Sequence, residues 1–352
     1  MSGLHKLIYK LHKDNYAGSE DLLYLLDNLD EAAREYLIAK AHETRVKYYG
    51  TKVFLRGLVE FTNYCTRNCN YCGIRAANRN LERYRLTLEQ IMAVCAEGYE
   101  LGYRTFVLQG GEDVFYTDEG IVELVTEIKA RFPSCAITLS IGERAYDSYK
   151  NYYDAGADRY LLRHETASKK LYEGLHPGMS FENRQQCLWH LKEIGYQVGA
   201  GFMVGLPTQT NEDYVADLQF LQDLQPHMVG IGPFIPHHHT PLANTVRGTV
   251  EQTVTLLAII RLLLPAVLLP ATTALGTIDP LGRELGLKAG ANVVMPNLSP
   301  IEVRNKYLLY DDKVCTGEEA AECRECIASR ILQAGFVPDM SRGDCVSWEG
   351  RQ

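Results

Sequence analysis

The chain has 352 residues, 46% of them hydrophobic and 23% charged, a globular balance with room for one large α/β domain or two ordinary ones. Lys and Arg number 36 against 44 Asp and Glu, and the net charge of −8 argues against nucleic acid or an anionic membrane as the main partner. Ten cysteines lack the even, repeated spacing of a disulfide framework and fit a reducing compartment, where thiolates stay available to metal.

The opening residues Met1-Ser-Gly-Leu-His-Lys-Leu-Ile-Tyr-Lys10 contain no apolar run of signal-peptide length. The greasiest stretch, 254–269, is broken by Arg261 and Pro265 and is too short for a bilayer, so a cytoplasmic protein is expected. Residues 1–50 carry Leu22, Leu25, Leu29, Ala33 and Leu37 at helical spacing and end at Gly50. This N-terminal helical extension is expected to pack against the base of the next domain.

From Val53 onward strands and helices alternate. The β-branched and apolar runs predict strands at Val53–Phe61, Thr105–Leu108, Cys135–Leu139, Arg159–Leu162, Gln197–Val204, Met228–Ile231, Leu268–Thr273 and Ala291–Met295. Thr87-Leu-Glu-Gln90, Thr210-Asn-Glu-Asp213 and Thr249-Val-Glu-Gln252 mark helix starts between them. Eight strands with eight crossovers predict an α/β fold, a complete (β/α)8 TIM barrel over 51–300, followed by a C-terminal cysteine-containing segment, 301–352. The alternative of an open sheet split between two domains would need a linker, and the sequence shows none.

In such a barrel the chemistry sits at the C-terminal strand ends. The first strand runs into Cys65-Thr-Arg-Asn-Cys69-Asn-Tyr71-Cys72, a C-x3-C-x2-C loop with an aromatic before its third cysteine. Three thiolates are one short of a structural zinc site or a fully ligated cubane cluster, so one iron would be left open. The second strand ends in Gly110-Gly111-Glu112, the third in Ser140-Ile-Gly-Glu143 and the fourth in Arg163-His-Glu165. A buried Glu165 suits a hydroxyl or a cation, and Arg184 suits a carboxylate; the plainer reading pairs these two with each other. His237, His238 and His239 are adjacent in one loop, and neighbouring histidines rarely share an ion, so a solvated or packing role is expected. Cys95, Cys135 and Cys187 read as core residues, and Cys345 as a thiol without a partner near a frayed end. Cys315, Cys323 and Cys326 form a second trio, C-x7-C-x2-C, in a segment that reads as peripheral; it suits a second cluster, or else a zinc site or idle thiols.

The first trio with Tyr71 resembles the signature of the radical S-adenosylmethionine (SAM) enzymes. The resemblance implies a 4Fe–4S cluster whose open iron chelates the amino and carboxylate groups of SAM. One electron from the cluster then breaks the sulfonium bond to give methionine and a 5′-deoxyadenosyl radical. It also implies that Tyr71 lies near the adenine and that Gly110, Gly111 and Glu112 match the GGE element holding the methionyl group. Ser140, Glu165 and Arg184 are then further SAM contacts.

More of the chain, about residues 15–340, resembles one group within these enzymes. Val107-Leu-Gln-Gly-Gly-Glu-Asp113, Arg159-Tyr-Leu-Leu-Arg-His-Glu-Thr166, Ser180-Phe-Glu-Asn-Arg184, Met203-Val-Gly-Leu-Pro207, Gly230–His237, Pro270-Ala-Thr-Thr-Ala274 and Asn292–Asn297 are similar to the HydE family of iron–iron hydrogenase maturases. That resemblance implies a small sulfur-bearing iron-carbonyl–cyanide substrate, an electron donor, HydG as supplier and HydF as recipient of the product. It also implies that the second cluster is optional. Thr138, Arg163, Thr272, Thr273, Met295 and Tyr310 match the family's small-molecule pocket, with Arg163 offering a cationic fork. Methylornithine synthase and biotin synthase share this barrel and signature, and a non-catalytic iron–sulfur carrier is the alternative from another class.

Overall fold

The computed structural model describes residues 3–317 and 320–351. Every neighbouring pair of barrel strands is parallel, and the ring closes. The first strand is Lys52–Leu55 and Gly57–Thr62, the second Thr105–Gly110, the third Ala136–Ser140, the fourth Arg159–Leu161, the fifth Gln197–Ala200 and Met203–Val204, and the sixth Met228–Val229 and Gly232–Pro233. These six pair in chain order. The seventh is reduced to bridges, Leu268 to Met228 and Pro270 to Val293. The eighth, Val293–Val294, pairs with Phe54 and Leu55, and Asn297 bridges Leu58 to complete the circle. This is the expected eight-stranded barrel.

The seventh strand is shorter than its apolar run suggests, for a local reason. Pro270 has no N–H to give a ladder, and Thr273 already opens the helix Thr273–Ile278. Helix starts follow the sequence closely. Thr87 and Thr210 form reciprocal capping boxes with Gln90 and Asp213, and the Thr249 hydroxyl accepts from the Gln252 N–H. The N-terminal extension is three helices, Gly3–Asp14, Ser19–Asn28 and Glu31–Tyr49, ended by Gly50 at φ 61°. They lie against the helices Asn211–Leu224 and Val250–Leu263 on the barrel's outside.

The C-terminal segment divides between the two ends of the barrel. Residues 308–315 cross the mouth as a strap, tied to the first cysteine loop by Gly73 N–H donating to Leu309 O at 2.9 Å. The helix Ala320–Gln333 follows, and Val337–Asp339 then adds beside Lys52–Val53-Phe54 at the opposite end. Beyond it the chain forms a floor. Buried Arg56 and Arg159 donate to the carbonyls of Gly343 and Arg342 at 3.1 and 2.7 Å, and Arg159 also pairs with Asp344 at 2.5 Å. Cys345 is part of this floor and not a frayed thiol: it is buried, its N–H donates to Gln197 and its Sγ lies 3.1 Å from Ala266 O. No helix among the described residues is long and apolar enough to cross a membrane.

Candidate active site

The three cysteines of the first trio lie half-buried on the loop after the first strand, and none of the chain's cysteines is in a disulfide. The loop is pinned from two sides. Asn70 N–H donates to Leu175 O at 2.8 Å, and Thr66 N–H to Glu112 O at 3.0 Å. Gly111 is required by close approach: a Cβ there would sit 2.2 Å from Tyr64 O and 2.7 Å from the Cys65 Cβ. The Tyr71 hydroxyl lies 2.9 Å from His176 Nε2, and the His176 ring stacks on Tyr172 at 4.1 Å. Burial pushes His176 down to about 3, so its neutral ring accepts from the tyrosine.

Burial raises all three thiols above their usual range, Cys69 to about 12, and neighbouring thiols push Cys69 and Cys72 further. Thiolates so grouped need a compensating positive charge, which the iron of a cluster provides. Beside them a cavity of about 340 Å³ is lined by Tyr71, Gly110, Gly111, Ser140, Glu165 and Arg184. The donor set and the room fit a three-thiolate cluster with a small ligand at its open side.

Four charged side chains form one network here, with Arg67, Glu112 and Arg184 on the cavity wall and Glu143 behind it. Arg67 Nε donates to Glu112 at 2.5 Å and Arg184 Nε to Glu143 at 2.7 Å; Arg67 also lies 3.5 Å from Glu143, and Arg184 4.0 Å from Glu112. Arg184 therefore does not pair with Glu165. Its remaining donor NH1 takes Arg163 O at 2.9 Å. Glu143 and Arg67 had no assigned role from sequence, although Glu143 stands at the third strand's end. Glu165 instead faces Arg163, NH2 to Oε2 at 3.2 Å, close enough for an ion pair but not aligned as a hydrogen bond. Its φ of 67° is a costly backbone state for a glutamate, held by its N–H to Gly201 O and by Met203 N–H to its own carbonyl.

A second cavity of about 180 Å³ continues from the first, and Gln109, Arg163, Thr272, Thr273 and Tyr310 line both. Arg163 stands at the junction with Nε and NH2 lacking hydrogen-bond partners, and the Thr272 hydroxyl is likewise unsatisfied. Buried donors in this state mark a place for an anionic or acceptor ligand. Met295 forms part of the second cavity's wall. Thr138 does not line either cavity; it is fully buried two residues below Ser140 on the same strand.

The second cysteine trio is not peripheral. Cys315 and Cys323 line the second cavity, and Arg283 brings both terminal nitrogens to 3.6 Å from Cys315 Sγ. Cys326 lies on the same helix as Cys323 and is exposed. Spacing alone could not show that the strap carries Cys315 back over the chamber.

Residues 59–221 match the family model described as the radical SAM superfamily. The chain is 46% identical over 347 residues to the [FeFe] hydrogenase maturase subunit HydE of Thermotoga maritima, covering 99% of this chain and 97% of that one. It is 32% identical to a 3-methylornithine synthase of Methanosarcina acetivorans, over 80% of this chain and 81% of that one. Among solved structures, methylornithine synthase (PylB) superposes with a TM-score of 0.82 at 28% identity, over 95% of this chain and 97% of that one. The hydrogenase maturase HydG also reaches 0.82, at 21% identity and over 96% and 75%, which speaks for the fold alone. The chain belongs to the radical SAM superfamily and, within it, to the HydE family of [FeFe] hydrogenase maturases.

Proposed function

We propose that the protein acts in assembly of the iron–iron hydrogenase active-site cluster, transforming a small sulfur-containing iron-carbonyl–cyanide species held at Arg163. Family membership implies a 4Fe–4S cluster and SAM, which together supply a carbon-centred radical after one-electron reduction. Cys65, Cys69 and Cys72 hold the cluster, with Tyr71 beside the adenine. Gly110, Gly111 and Glu112 meet the methionyl group. Ser140, Glu165 and Arg184 take the remaining polar groups of SAM, and the Arg67–Glu143 pair keeps Arg184 in place.

The observation that carries the reading is the two-part chamber with Arg163 at its junction, its guanidinium only partly engaged. One part lies against the cysteine loop. The other is walled by Thr272, Thr273, Met295 and Tyr310, and offers hydroxyl donors and a soft apolar face to a substrate sheltered from water. Cys315, Cys323 and Cys326 hold a second iron–sulfur cluster at the far wall. HydG is the proposed source of the substrate and HydF the recipient of the product, with electrons from a small carrier.

Anaerobic reconstitution with iron, sulfide, SAM and a reductant, followed by a search for adenosylated product with candidate substrates, tests this reading. Coupled product with an iron-carbonyl–cyanide complex supports it. Turnover of an amino acid with none of the iron complex would place the protein with the methylornithine synthases. Failure to cleave SAM at all would leave only an iron–sulfur carrier.

A further inference from the structure

We propose that His237, His238 and Asp311 form a site for one divalent first-row cation of the zinc class, at the barrel mouth beside the first cysteine loop. The site is separate from both cysteine trios and does not depend on the substrate reading above.

The three residues come from two elements. His237 and His238 lie on the loop after the sixth strand, and Asp311 lies on the strap. Asp311 N–H donates to Pro236 O at 3.1 Å, which sets the strap against that loop. One ligand atom from each residue then falls within 4.8 Å of the other two, the one such grouping of three among the described residues. His238 Nδ1 is 2.6 Å from Asp311 Oδ1, and His237 Nε2 is 3.9 Å from the same oxygen. Tetrahedral zinc with bonds of about 2.0–2.2 Å needs its donors about 3.4 Å apart, between those two values. The two rings are stacked, with centroids 4.6 Å apart and planes at 14°, so the exposed His238 must also swing off His237 for both nitrogens to point at one ion.

The surroundings favour a cation. The ion-pair partners of Asp311 among the described residues are the two imidazoles, with no lysine or arginine within reach. Its second oxygen accepts the His238 backbone N–H at 2.8 Å, which fixes the carboxylate plane as an outer hydrogen bond does in metal sites. His237 is buried, with its ring against Gly73: a Cβ on that glycine would meet the ring at 2.3 Å. This ligand is therefore preorganised, while His238 opens to solvent and lets the ion enter. Two nitrogens and one oxygen suit zinc-class ions, and water takes the fourth position.

The protons balance. Without the ion, His237 Nδ1 accepts the His239 N–H at 3.1 Å, so the ring proton sits on Nε2 and faces Asp311. Binding moves this proton to Nδ1 and releases the His239 N–H to water. The His238 proton moves likewise from Nδ1 to the exposed Nε2. The lost hydrogen bonds are small beside the metal bonds gained. Occupancy would staple the strap, with Tyr310 and Lys313, to the loop next to Cys72.

The test is zinc binding to untagged protein with its first cluster in place, with and without Cys315, Cys323 and Cys326 changed to Ser to remove competing thiols. Calorimetry with zinc chloride and metal analysis after gel filtration should both give one equivalent in either background. His238→Ala, at an exposed position, and Asp311→Asn, which keeps the side chain's shape, should each weaken binding at least tenfold. Absence of a bound equivalent at micromolar zinc, or binding unchanged in either variant, would overturn the proposal and leave a hydrogen-bonded histidine–aspartate latch.

Discussion

Lys313 Nζ lies 2.6 Å from Glu60 Oε1, an ion pair that joins the strap over the mouth to the first barrel strand, with both side chains buried. The pair is fully dressed: Asn297 donates to the other Glu60 oxygen at 2.9 Å, and Lys313 also donates to Tyr307 O at 3.0 Å. Removing one partner leaves a buried charge without its counterpart. Lys313→Met should therefore destabilise the protein by about 3–5 kcal/mol, and Lys313→Met with Glu60→Leu should recover part of that. Urea unfolding of the two variants checks it; a single-variant loss below about 1 kcal/mol would show that the pair is solvated.

Arg184→Ala should weaken SAM binding by about 2–5 kcal/mol, because the guanidinium is buried and its loss also frees Glu143. Glu143→Gln keeps the hydrogen-bonding shape and should cost less. Calorimetry with SAM in anaerobic buffer reads both. Equal affinity in Arg184→Ala and the parent protein would remove Arg184 from the SAM site.

Arg163→Leu should separate two activities. Cleavage of SAM without substrate should continue at close to the parent rate, while coupled turnover is lost. If both fall together, Arg163 serves SAM or the barrel, and the chamber assignment fails.

The buried histidines predict a pH dependence. Burial lowers His164 and His176 to about 3 and His227 to about 4, from an ordinary 6.5. The unfolded chain takes up these protons as pH falls through 6.5, and the folded chain does not until far lower. Their contribution is complete above 6.5 and is lost on acidification, at up to about 1.4 kcal/mol per pH unit for each; burial also raises Asp217, 3.1 Å from His164, and this carboxyl offsets the share of His164, leaving His176 and His227 to set the slope. Urea midpoints at pH 7.5, 6.5 and 5.5 should drop mainly over the last interval. His176→Gln should lessen the slope by about half; a midpoint flat from 7.5 to 5.5 would contradict the burial argument.

Local signals in the sequence were reliable where one stretch of chain decides the outcome. Thr87 and Thr210 cap because the partner stands three residues on, Gly50 ends its helix at a positive φ, and the cysteine loop follows its strand. The polar strand ends do gather at one cavity, since a closed parallel barrel puts them there. What stayed hidden depends on residues far apart. Arg184 chooses Glu143 over Glu165 because the Glu165 side chain leaves a left-handed backbone toward Arg163, which no spacing rule reveals. Val337-Pro-Asp339 has neither length nor alternation to read as a strand, and only the exposed edge of Lys52–Phe54 makes it one. The Cys315 position depends on a strap whose course is set by Glu60 and Pro236.

The floor of the barrel sets an order on synthesis. Phe54 pairs in register with Asp339, so the first strand waits through roughly 285 residues for its neighbour, which at 5–20 residues per second is about 15 seconds to a minute on the ribosome. During that wait Arg56 and Arg159 lack the carbonyls that later cap them, and water stands in their place. The cysteine loop is complete long before the barrel can be sealed beneath it. A nonsense mutation just ahead of residue 337 would spare every residue named at the mouth and still yield an aggregation-prone chain, because the Lys52–Phe54 edge would lose its partner and the apolar cluster of Phe54, Met228 and Leu268 its cover.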